Sequence, residues 1–294
     1  MRSTLRWVTA ALGAGLWSLA YLYLTLPDVR PLVTINPTTT AFIERRVEEA
    51  DDAGKVLKVR QQWISYRRIS PQLTRAVLVA EDSAFWQHDG IDFEQIRESM
   101  EYNLERGEFA RGASTITQQL AKNLYLSPSK NPLRKVRELM IARRLEAVLS
   151  KQRILEIYLN VIEWGDGIFG ADAAARTYFG TGAGGLGAEQ SALLAGAIIN
   201  PRVHSPGRPT TRLLRRQRML LRRMGAATPP PAVDDASAAP AAAPAVPATP
   251  PPGAAAPEAP GADVPPSTST PPHPPPVPPG GAARFSGAQT GWHS

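Results

Sequence analysis

The sequence predicts a mainly α-helical fold for the central part of the chain, and three observations support this. Apolar residues recur at helical spacing between Ser70 and Met224. Residues typical of helix N-caps precede these segments, and glycine or proline follows them. Segments with the alternating pattern of β-strands are almost absent. We therefore expect one helical domain within the 294 residues.

The C-terminal part of the chain has a composition that does not favour folding. Twenty of the 29 prolines lie within residues 228–294, together with many alanines. Such a segment buries too few apolar side chains to offset the entropy lost on ordering. The sequence therefore predicts a folded domain over 70–227 and a disordered Pro/Ala-rich tail over 228–294.

Near the N-terminus, residues 7–26 contain no charged side chain. A helix of this length can span a bilayer. Arg2 and Arg6 precede the segment and Asp28 follows it, which predicts that residues 1–6 are cytoplasmic. A cleaved signal peptide is the alternative, but the apolar segment is long and lacks a small-x-small cleavage pattern. We predict a single-pass anchor in the cytoplasmic (inner) membrane, with the following domain on the periplasmic or extracytoplasmic side.

The elements of the domain follow from local signals. Residues 27–69 are polar and contain Pro31 and Pro37, and we interpret them as a stalk or entry segment. Ser70 followed by Pro71 predicts the start of the first helix. The predicted helices cover 71–81, 93–106, a segment starting near Ser114, 133–149, a segment after Ser150, 188–199 and 212–224. Residues 182–187 are predicted to be a flexible loop.

Charge and cysteine content restrict the function classes. The formal net charge is +7 and the chain has no cysteine. A basic surface suits nucleic acid, a phospholipid surface or a pyrophosphate-bearing substrate, and composition does not choose among them. The lack of cysteine excludes disulfides, thiolate zinc sites and cysteine nucleophiles. The basic amphipathic segment 212–224 fits either a solvated closing helix or contact with anionic lipid head groups.

Polar residues crowd together at the end of the first predicted helix, from Glu81 to Gly90. The negative end of the helix, an apolar setting and the adjacent Asp82 all disfavour the ionised form of Glu81. This favours a general base, although Glu81 and Asp82 could equally do no more than cap and solvate a turn. His88 alone is typical of a structural hydrogen-bonding residue, because no second histidine lies at ligand spacing.

Two further blocks suit an anionic ligand. In the first, free amide groups at a helix start could converge on phosphate and sugar together with the side chains of Ser114, Thr115, Gln118 and Lys122. Capping is the alternative role for Ser114. In the second block, which follows Lys130, Arg134 and Glu138 lie one helical turn apart, and an ordinary i,i+4 salt bridge is the alternative there.

Together these blocks resemble the signature motifs of the family 51 peptidoglycan glycosyltransferases, in their monofunctional biosynthetic form. The resemblance covers 27–224 and includes 151–160, Gly165, Gly170, Ala171, Ala174 and 178–180. It implies a lysozyme-like helical domain with a cleft between a larger lobe and a smaller, membrane-dipping lobe. It also implies an enzyme that polymerises lipid II into β-1,4-linked glycan strands, with inversion and release of undecaprenyl pyrophosphate.

The resemblance also implies roles for individual residues. Glu81 corresponds to the catalytic base, and Glu138 to a second catalytic glutamate that either orients phosphate-binding cations or holds a divalent cation, Mg or Mn. The implied substrate-binding residues are Ser114, Thr115, Gln118, Lys122, Asn123, Lys130 and Arg134. The implied structural residues near the site are Asp82, Phe85 and His88. The family more often has arginine at the position of Lys130, and lysine lacks the bidentate geometry of arginine.

The implied partners are lipid II, the growing glycan strand, the membrane, and proteins of cell-wall synthesis or division, but no nucleic acid. Ser127 and Lys130 also fit the Ser-x-x-Lys pattern of transpeptidases, but no Lys-Thr-Gly or Ser-x-Asn pattern follows. A lysozyme-like glycan hydrolase would also use a glutamate, yet hydrolysis of a neutral glycan needs no cation cluster. A non-catalytic membrane scaffold would leave the motifs unexplained.

Overall fold

The computed structural model describes residues 2–107, 112–126 and 132–226. Within these ranges the chain forms ten α-helices and a three-stranded sheet. The helices are α1 Arg2–Leu24, α2 Ala41–Asp52, α3 Pro71–Glu81, α4 Phe93–Arg106, α5 Ile116–Tyr125, α6 Pro132–Val148, α7 Lys151–Val161, α8 Ala171–Phe179, α9 Ala188–Ala197 and α10 Thr211–Ala226. The mainly helical prediction is confirmed. Lys130 and the predicted tail over 228–294 lie outside the described residues.

Side-chain caps set the starts of three predicted helices. The Ser70 hydroxyl accepts from the Gln72 amide at 3.2 Å, at the start of α3. The Asp92 carboxylate accepts from the Gln95 amide at 2.8 Å, at the start of α4. Ser150 caps α7 in the same way. Because these hydrogen bonds are local, the sequence was sufficient to predict where the helices begin.

Helix α5 starts slightly later than the sequence predicts. Its first helical residue is Ile116, and its N-cap is Thr115 rather than Ser114. The Thr115 hydroxyl accepts from the Gln118 amide at 3.2 Å and donates to the Gly90 carbonyl at 2.7 Å. The buried threonine therefore satisfies two backbone groups, whereas Ser114 is exposed.

The core forms where the helices cross. Helix α3 packs against α9, and α10 covers both of them, while α5 packs against α2, α6 and α7. Several large side chains at the centre of the core are fully buried: Leu73, Phe85, Phe169, Ile116, Leu145, Tyr158 and Trp164. This packing brings the end of α3, the length of α5 and one face of α10 close together.

Residues 27–69 do not form a separate stalk, which corrects the sequence-based interpretation. Val29, Ile64 and Tyr66 are buried in the main core. The Asn160 side chain donates to the Ile64 carbonyl and accepts from its amide, both at 2.8 Å. Helix α2 also lies in this segment. Only a few of its side chains are buried, so its largely polar sequence did not indicate that it packs against the domain.

The sheet also ties this segment to the rest of the domain. Strand β1 (Arg60–Gln61) pairs in parallel with β3 (Ile168–Phe169), and β3 pairs antiparallel with β2 (Glu163–Gly165). These strands are only two or three residues long. Their shortness explains why the sequence showed almost no strand signal.

Two other segments differ from the prediction. Helix α8 was not predicted. Residues 182–187, predicted to be a flexible loop, include a 3₁₀ turn in which Ala183 is fully buried and its amide donates to Asp172 at 2.8 Å. A Cβ atom on Gly184 would lie 2.6 Å from the Arg68 carbonyl oxygen. The glycine here therefore permits close packing of the backbone.

Helix α1 has exposed aromatic and aliphatic side chains along its length, including Trp7, Leu16 and Trp17. Among the residues that the structure describes, no helix combines the length and apolarity that crossing a membrane requires. The predicted membrane-spanning helix over 7–26 is thus not confirmed. The end of α1 is fixed to the domain by Arg137, which donates to the Thr25 carbonyl at 2.6 Å.

Candidate active site

Glu81 is the last residue of α3, and its side chain is 14% exposed. Burial raises the pKa of Glu81, and the negative charge of Asp82 adds to this. A hydrogen bond from Gln119 and the charges of Arg216 and Lys122 oppose the increase. A carboxylate with a raised pKa at a position that substrate can still reach is what a general base requires.

A chain of hydrogen bonds fixes one oxygen of Glu81. The Gln119 side-chain amide donates to Glu81 Oε2 at 3.0 Å. The fully buried Tyr158 hydroxyl donates to Gln119 Oε1 at 2.9 Å. Because Oε1 of Gln119 accepts from Tyr158, its NH₂ group must face Glu81. Neither Gln119 nor Tyr158 had a role predicted from the sequence, although both lie within the motif blocks.

The other oxygen of Glu81 faces a cation from the C-terminal helix. Arg216 Nη2 lies 3.8 Å from Glu81 Oε1, which is too far for a hydrogen bond. No hydrogen bond to Glu81 Oε1 occurs within the described ranges. This oxygen is therefore available to accept a proton. Arg216 is distant from Glu81 in the sequence, and no motif links the two. From the sequence, its helix was interpreted only as solvated or lipid-facing.

Asp82 and His88 connect the end of α3 to the start of α5. Asp82 Oδ2 accepts from the Ile116 amide at 2.9 Å, and His88 Nε2 lies 3.0 Å from Asp82 Oδ1. The Gly90 amide donates to His88 Nδ1 at 3.1 Å, so the ring hydrogen is on Nε2 and is donated to Asp82. With the fully buried Phe85, this is the geometry that the predicted scaffolding role requires.

Asp82, His88 and Asp92 have potential metal-ligand atoms within 4.8 Å of one another. Each of these side chains already has a structural partner, since Asp92 caps α4 and the other two bond to each other and to backbone amides. The group is therefore explained by folding and is not a candidate metal site.

On α6, the buried Glu138 holds two cations. Its Oε2 accepts from Arg134 Nη1 at 3.0 Å, and its Oε1 accepts from Lys135 Nζ at 2.6 Å. Lys135 also donates to Gln118 Oε1 at 3.1 Å and lies 3.5 Å from Ser114 Oγ. Lys135 therefore lies at the centre of the predicted substrate-binding residues. Lys135 was not among the residues predicted from the sequence, although its spacing of three residues from Glu138 places both on one helix face.

The immediate surroundings of Glu138 are cationic. Both of its oxygens are bound by cations. Over the described residues, no group of three potential ligands includes it. Of the two roles predicted for Glu138, orienting cations agrees with this geometry.

A comparison with known protein families identifies the domain. The family model described as Transglycosylase matches residues 50–225. The chain belongs to the transglycosylase family.

Relatives of this transglycosylase come from several bacteria, and each is described as a biosynthetic peptidoglycan transglycosylase. The one from Dechloromonas aromatica is 49% identical over 181 residues, which cover 62% of this chain and 78% of the relative. The one from Laribacter hongkongensis is 49% identical over 180 residues, covering 61% and 79%. The one from Nitrosomonas eutropha is 50% identical over 182 residues, covering 62% and 75%.

Helix α5 of the transglycosylase domain connects the base to the cation cluster. Gln119 bonds to Glu81 and Gln118 to Lys135, while Lys122 is exposed and its charge acts on Glu81. Asn123 is buried and donates to the Gln119 carbonyl at 2.8 Å.

The predicted substrate contacts differ in how accessible they are. Ser114 and Lys122 are exposed, and Arg134 is partly exposed. Thr115, Gln118 and Asn123 are buried, so their direct contact with substrate stays a prediction. Lys130 and the Ser127-x-x-Lys130 pattern lie outside the described residues.

Proposed function

We propose that this transglycosylase polymerises peptidoglycan glycan strands from lipid II, forms β-1,4 links with inversion, and releases undecaprenyl pyrophosphate. The observation that carries this proposal is the placement of Glu81 beside α5, which also reaches the cations held by Glu138. The relatives are described as biosynthetic peptidoglycan transglycosylases, which supports the same function.

In this proposal Glu81 is the general base. Its Oε1 accepts the proton of the acceptor sugar's 4-hydroxyl while the hydroxyl oxygen attacks the anomeric carbon of the donor. The bond from that carbon to the diphosphate oxygen breaks, and the diphosphate leaves with the bonding electrons. Gln119 holds Oε2 during this step, so that Oε1 keeps a constant direction.

The leaving diphosphate develops negative charge that cations can stabilise. Lys122 is exposed beside Glu81, and Lys135 and Arg134 are aligned by Glu138. Because Glu138 is buried and paired with both cations, its role is to position them. We assign no step to a metal ion, and dependence on Mg or Mn stays a prediction that activity after chelation would test.

A glycan hydrolase with the same glutamate is the main competing function. A neutral glycan does not require three cations near the reacting bond, whereas a diphosphate leaving group does. The cluster around Glu138 therefore favours transfer from a lipid diphosphate over hydrolysis. The same cluster argues against a non-catalytic membrane scaffold, because a scaffold would have no chemical use for these cations.

The proposal can be tested by polymerisation of lipid II with the native protein, Glu81→Gln and Lys122→Ala. We expect Glu81→Gln to lower turnover by about 100-fold or more, because glutamine cannot accept the proton. Glu48→Gln, at an exposed glutamate of α2, is the matched control and should behave like the native protein. Full activity of Glu81→Gln, or release of free sugars without strand growth, would contradict the proposed reaction.

We also propose that the protein acts at the outer surface of the cytoplasmic membrane, attached through the N-terminal segment, with residues 1–6 on the cytoplasmic side. The exposed apolar side chains of α1, and Arg2 and Arg6 in its first turns, support this placement. A lipid-linked substrate would also be found there. Sedimentation with the membrane fraction tests this proposal. Proteins of cell-wall synthesis or division stay predicted partners.

A further inference from the structure

We propose that a pocket between α9 and α10 binds a phosphate group. Its volume is about 280 Å³, and its walls include Gly196, His204, Arg212, Arg215, Arg216 and Met219. We call it the α10 pocket. It is separate from the cation cluster around Glu138 and is not included in the substrate contacts proposed above.

The charge of the α10 pocket is entirely positive. Three arginines line it, and no acidic residue of the described part of the chain does. The sequence of α10 contains six arginines and no aspartate or glutamate. Within the described ranges, Arg212 and Arg215 form no salt bridge, and Arg216 approaches only Glu81, at 3.8 Å. Guanidinium groups that line one pocket repel one another, and an anion bound between them would reduce this repulsion.

The walls of the α10 pocket also contain polar atoms without a partner. His204 is 9% exposed, and its Nδ1 is buried with no hydrogen-bond partner among the described residues. Arg216 Nε is buried and likewise has no hydrogen-bond partner in the ranges that the structure describes. A buried polar group without a hydrogen-bond partner destabilises the folded protein. His204 and Arg216 both line the α10 pocket, so two of its lining residues carry polar groups that no described protein group satisfies.

Close approach of the two helices forms the floor of the α10 pocket. A Cβ atom on Gly196 would lie 3.1 Å from Leu213 Cδ1 and 3.6 Å from Arg216 Cγ. Glycine at this position therefore lets α10 lie tightly on α9. This packing holds the stem of Arg216 against the pocket wall.

These groups indicate the chemistry of the ligand. Guanidinium groups donate paired hydrogen bonds, and three of them with an imidazole suit a multiply charged tetrahedral oxyanion. A phosphate group has this charge and shape. It could belong to a soluble phosphate or to the head group of an anionic phospholipid, and the two sources can be distinguished experimentally.

Because Arg216 faces both Glu81 and the α10 pocket, a bound anion would compete with Glu81 for its charge. The pocket therefore lies close enough to the proposed base to influence it. Its binding can nevertheless be measured without any enzymatic turnover, so the test does not depend on the proposed function.

The test is titration calorimetry of the full-length protein with inorganic phosphate, together with sedimentation on phosphatidylcholine vesicles with and without phosphatidylglycerol. The pocket variant is Arg212→Gln/Arg215→Gln. The control variant is Arg218→Gln/Arg222→Gln, which removes the same charge from exposed positions of α10 outside the pocket. All variants keep α1 and the cations around Glu138, so only the difference between the pocket and control variants is informative.

We expect the pocket variant to bind about ten-fold or more weakly, because charge-assisted hydrogen bonds are lost, while the control binds like the native protein. A loss in the phosphate titration assigns the site to soluble phosphate groups. A loss confined to phosphatidylglycerol vesicles assigns it to lipid head groups. Equal binding by the pocket and control variants in both measurements would overturn the proposal.

Discussion

At the scale of single residues, the two oxygens of Glu81 have different surroundings. Gln119 holds Oε2, whereas Oε1 faces Arg216 without a hydrogen bond. Burial raises the pKa of Glu81, and Arg216 and Lys122 limit that increase. The site therefore combines a base whose pKa is raised by burial with positive charges that favour its ionised form.

We predict that Arg216→Gln raises the pKa of Glu81 further, because it removes a charge that favours the ionised form. Since the base acts when ionised, the acidic limb of the pH profile for turnover should move to higher pH. Activity on the acidic side should fall by about five-fold or more, because two charges about 4 Å apart interact by about 1 kcal/mol in water and more strongly when partly buried.

Two further variants separate the charge of Arg216 from its packing. Arg216→Lys keeps the charge and should retain most of the native pH profile, and Arg218→Gln should leave the profile unchanged. A pH profile of Arg216→Gln that overlays the native one would show that this arginine does not act on the base.

Tyr158→Phe should lower turnover by about five-fold and leave KM almost unchanged. The variant keeps the ring but removes the hydroxyl that orients Gln119, and a hydrogen bond of this kind contributes about 1 kcal/mol. Steady-state kinetics with lipid II measures the effect.

Tyr178→Phe is the matched control for Tyr158→Phe. It also removes a hydroxyl hydrogen bond, to the Trp164 carbonyl at 3.0 Å, but away from Glu81. It should affect stability and leave turnover unchanged. If both variants reduced turnover equally, the loss would come from destabilisation and not from the position of Glu81.

At the scale of secondary structure, α5 links the parts of the site. It positions Gln119 against Glu81 and Gln118 against Lys135, and it leaves the Lys122 side chain exposed to solvent. Its N-terminus is fixed by Asp82, which accepts from the Ile116 amide, and by the Thr115 cap. A small displacement of this helix would therefore change the hydrogen bond to Glu81 and the hydrogen bond to Lys135 at the same time.

Thr115→Val should lower the free energy of unfolding by about 1–3 kcal/mol, because it removes a helix cap and a buried hydrogen bond without changing the side-chain shape much. Thermal or urea denaturation measures this change. Ser114→Ala, at the exposed neighbouring position, should have little effect. Equal stability of the two variants would show that Thr115 is not the cap that fixes α5.

At the scale of the whole molecule, the domain includes the segment between α1 and α3. Residues 27–69 supply core side chains, helix α2 and one strand. The last turn of α1 is also fixed, since Arg144 lies over the Tyr23 ring at 5.7 Å and Arg137 bonds to Thr25. Removal of the earlier part of α1 should therefore leave the domain folded.

A protein lacking residues 2–20 should keep the native melting temperature and leave the membrane fraction after an alkaline wash. A protein lacking 228–294 should remain with the membranes and serve as the control. Fractionation and thermal denaturation of the two proteins check this prediction. Continued sedimentation of the protein without residues 2–20 would contradict attachment through α1.

Local interactions explain how much could be predicted without a structure. The starts of α3, α4 and α7 depend on caps within three residues of the helix, and those predictions are confirmed. The choice of Glu81 as base and of Lys122 as a nearby cation came from short motifs, and both roles stay predictions; the charge of Lys122 lowers the pKa of Glu81. The family and its activity were predicted from the same motifs, and the match over 50–225 confirms the family.

The sequence by itself therefore determined the helical class, most helix boundaries, the family and the identity of the proposed base. Only the tertiary structure decided that Arg216 faces Glu81, that Tyr158 orients Gln119, and that residues 27–69 belong to the core. The physical reason is distance along the chain. A cap or a motif is complete within a few residues, whereas a contact between α3 and α10 forms only when the whole core has packed and water is excluded from between them.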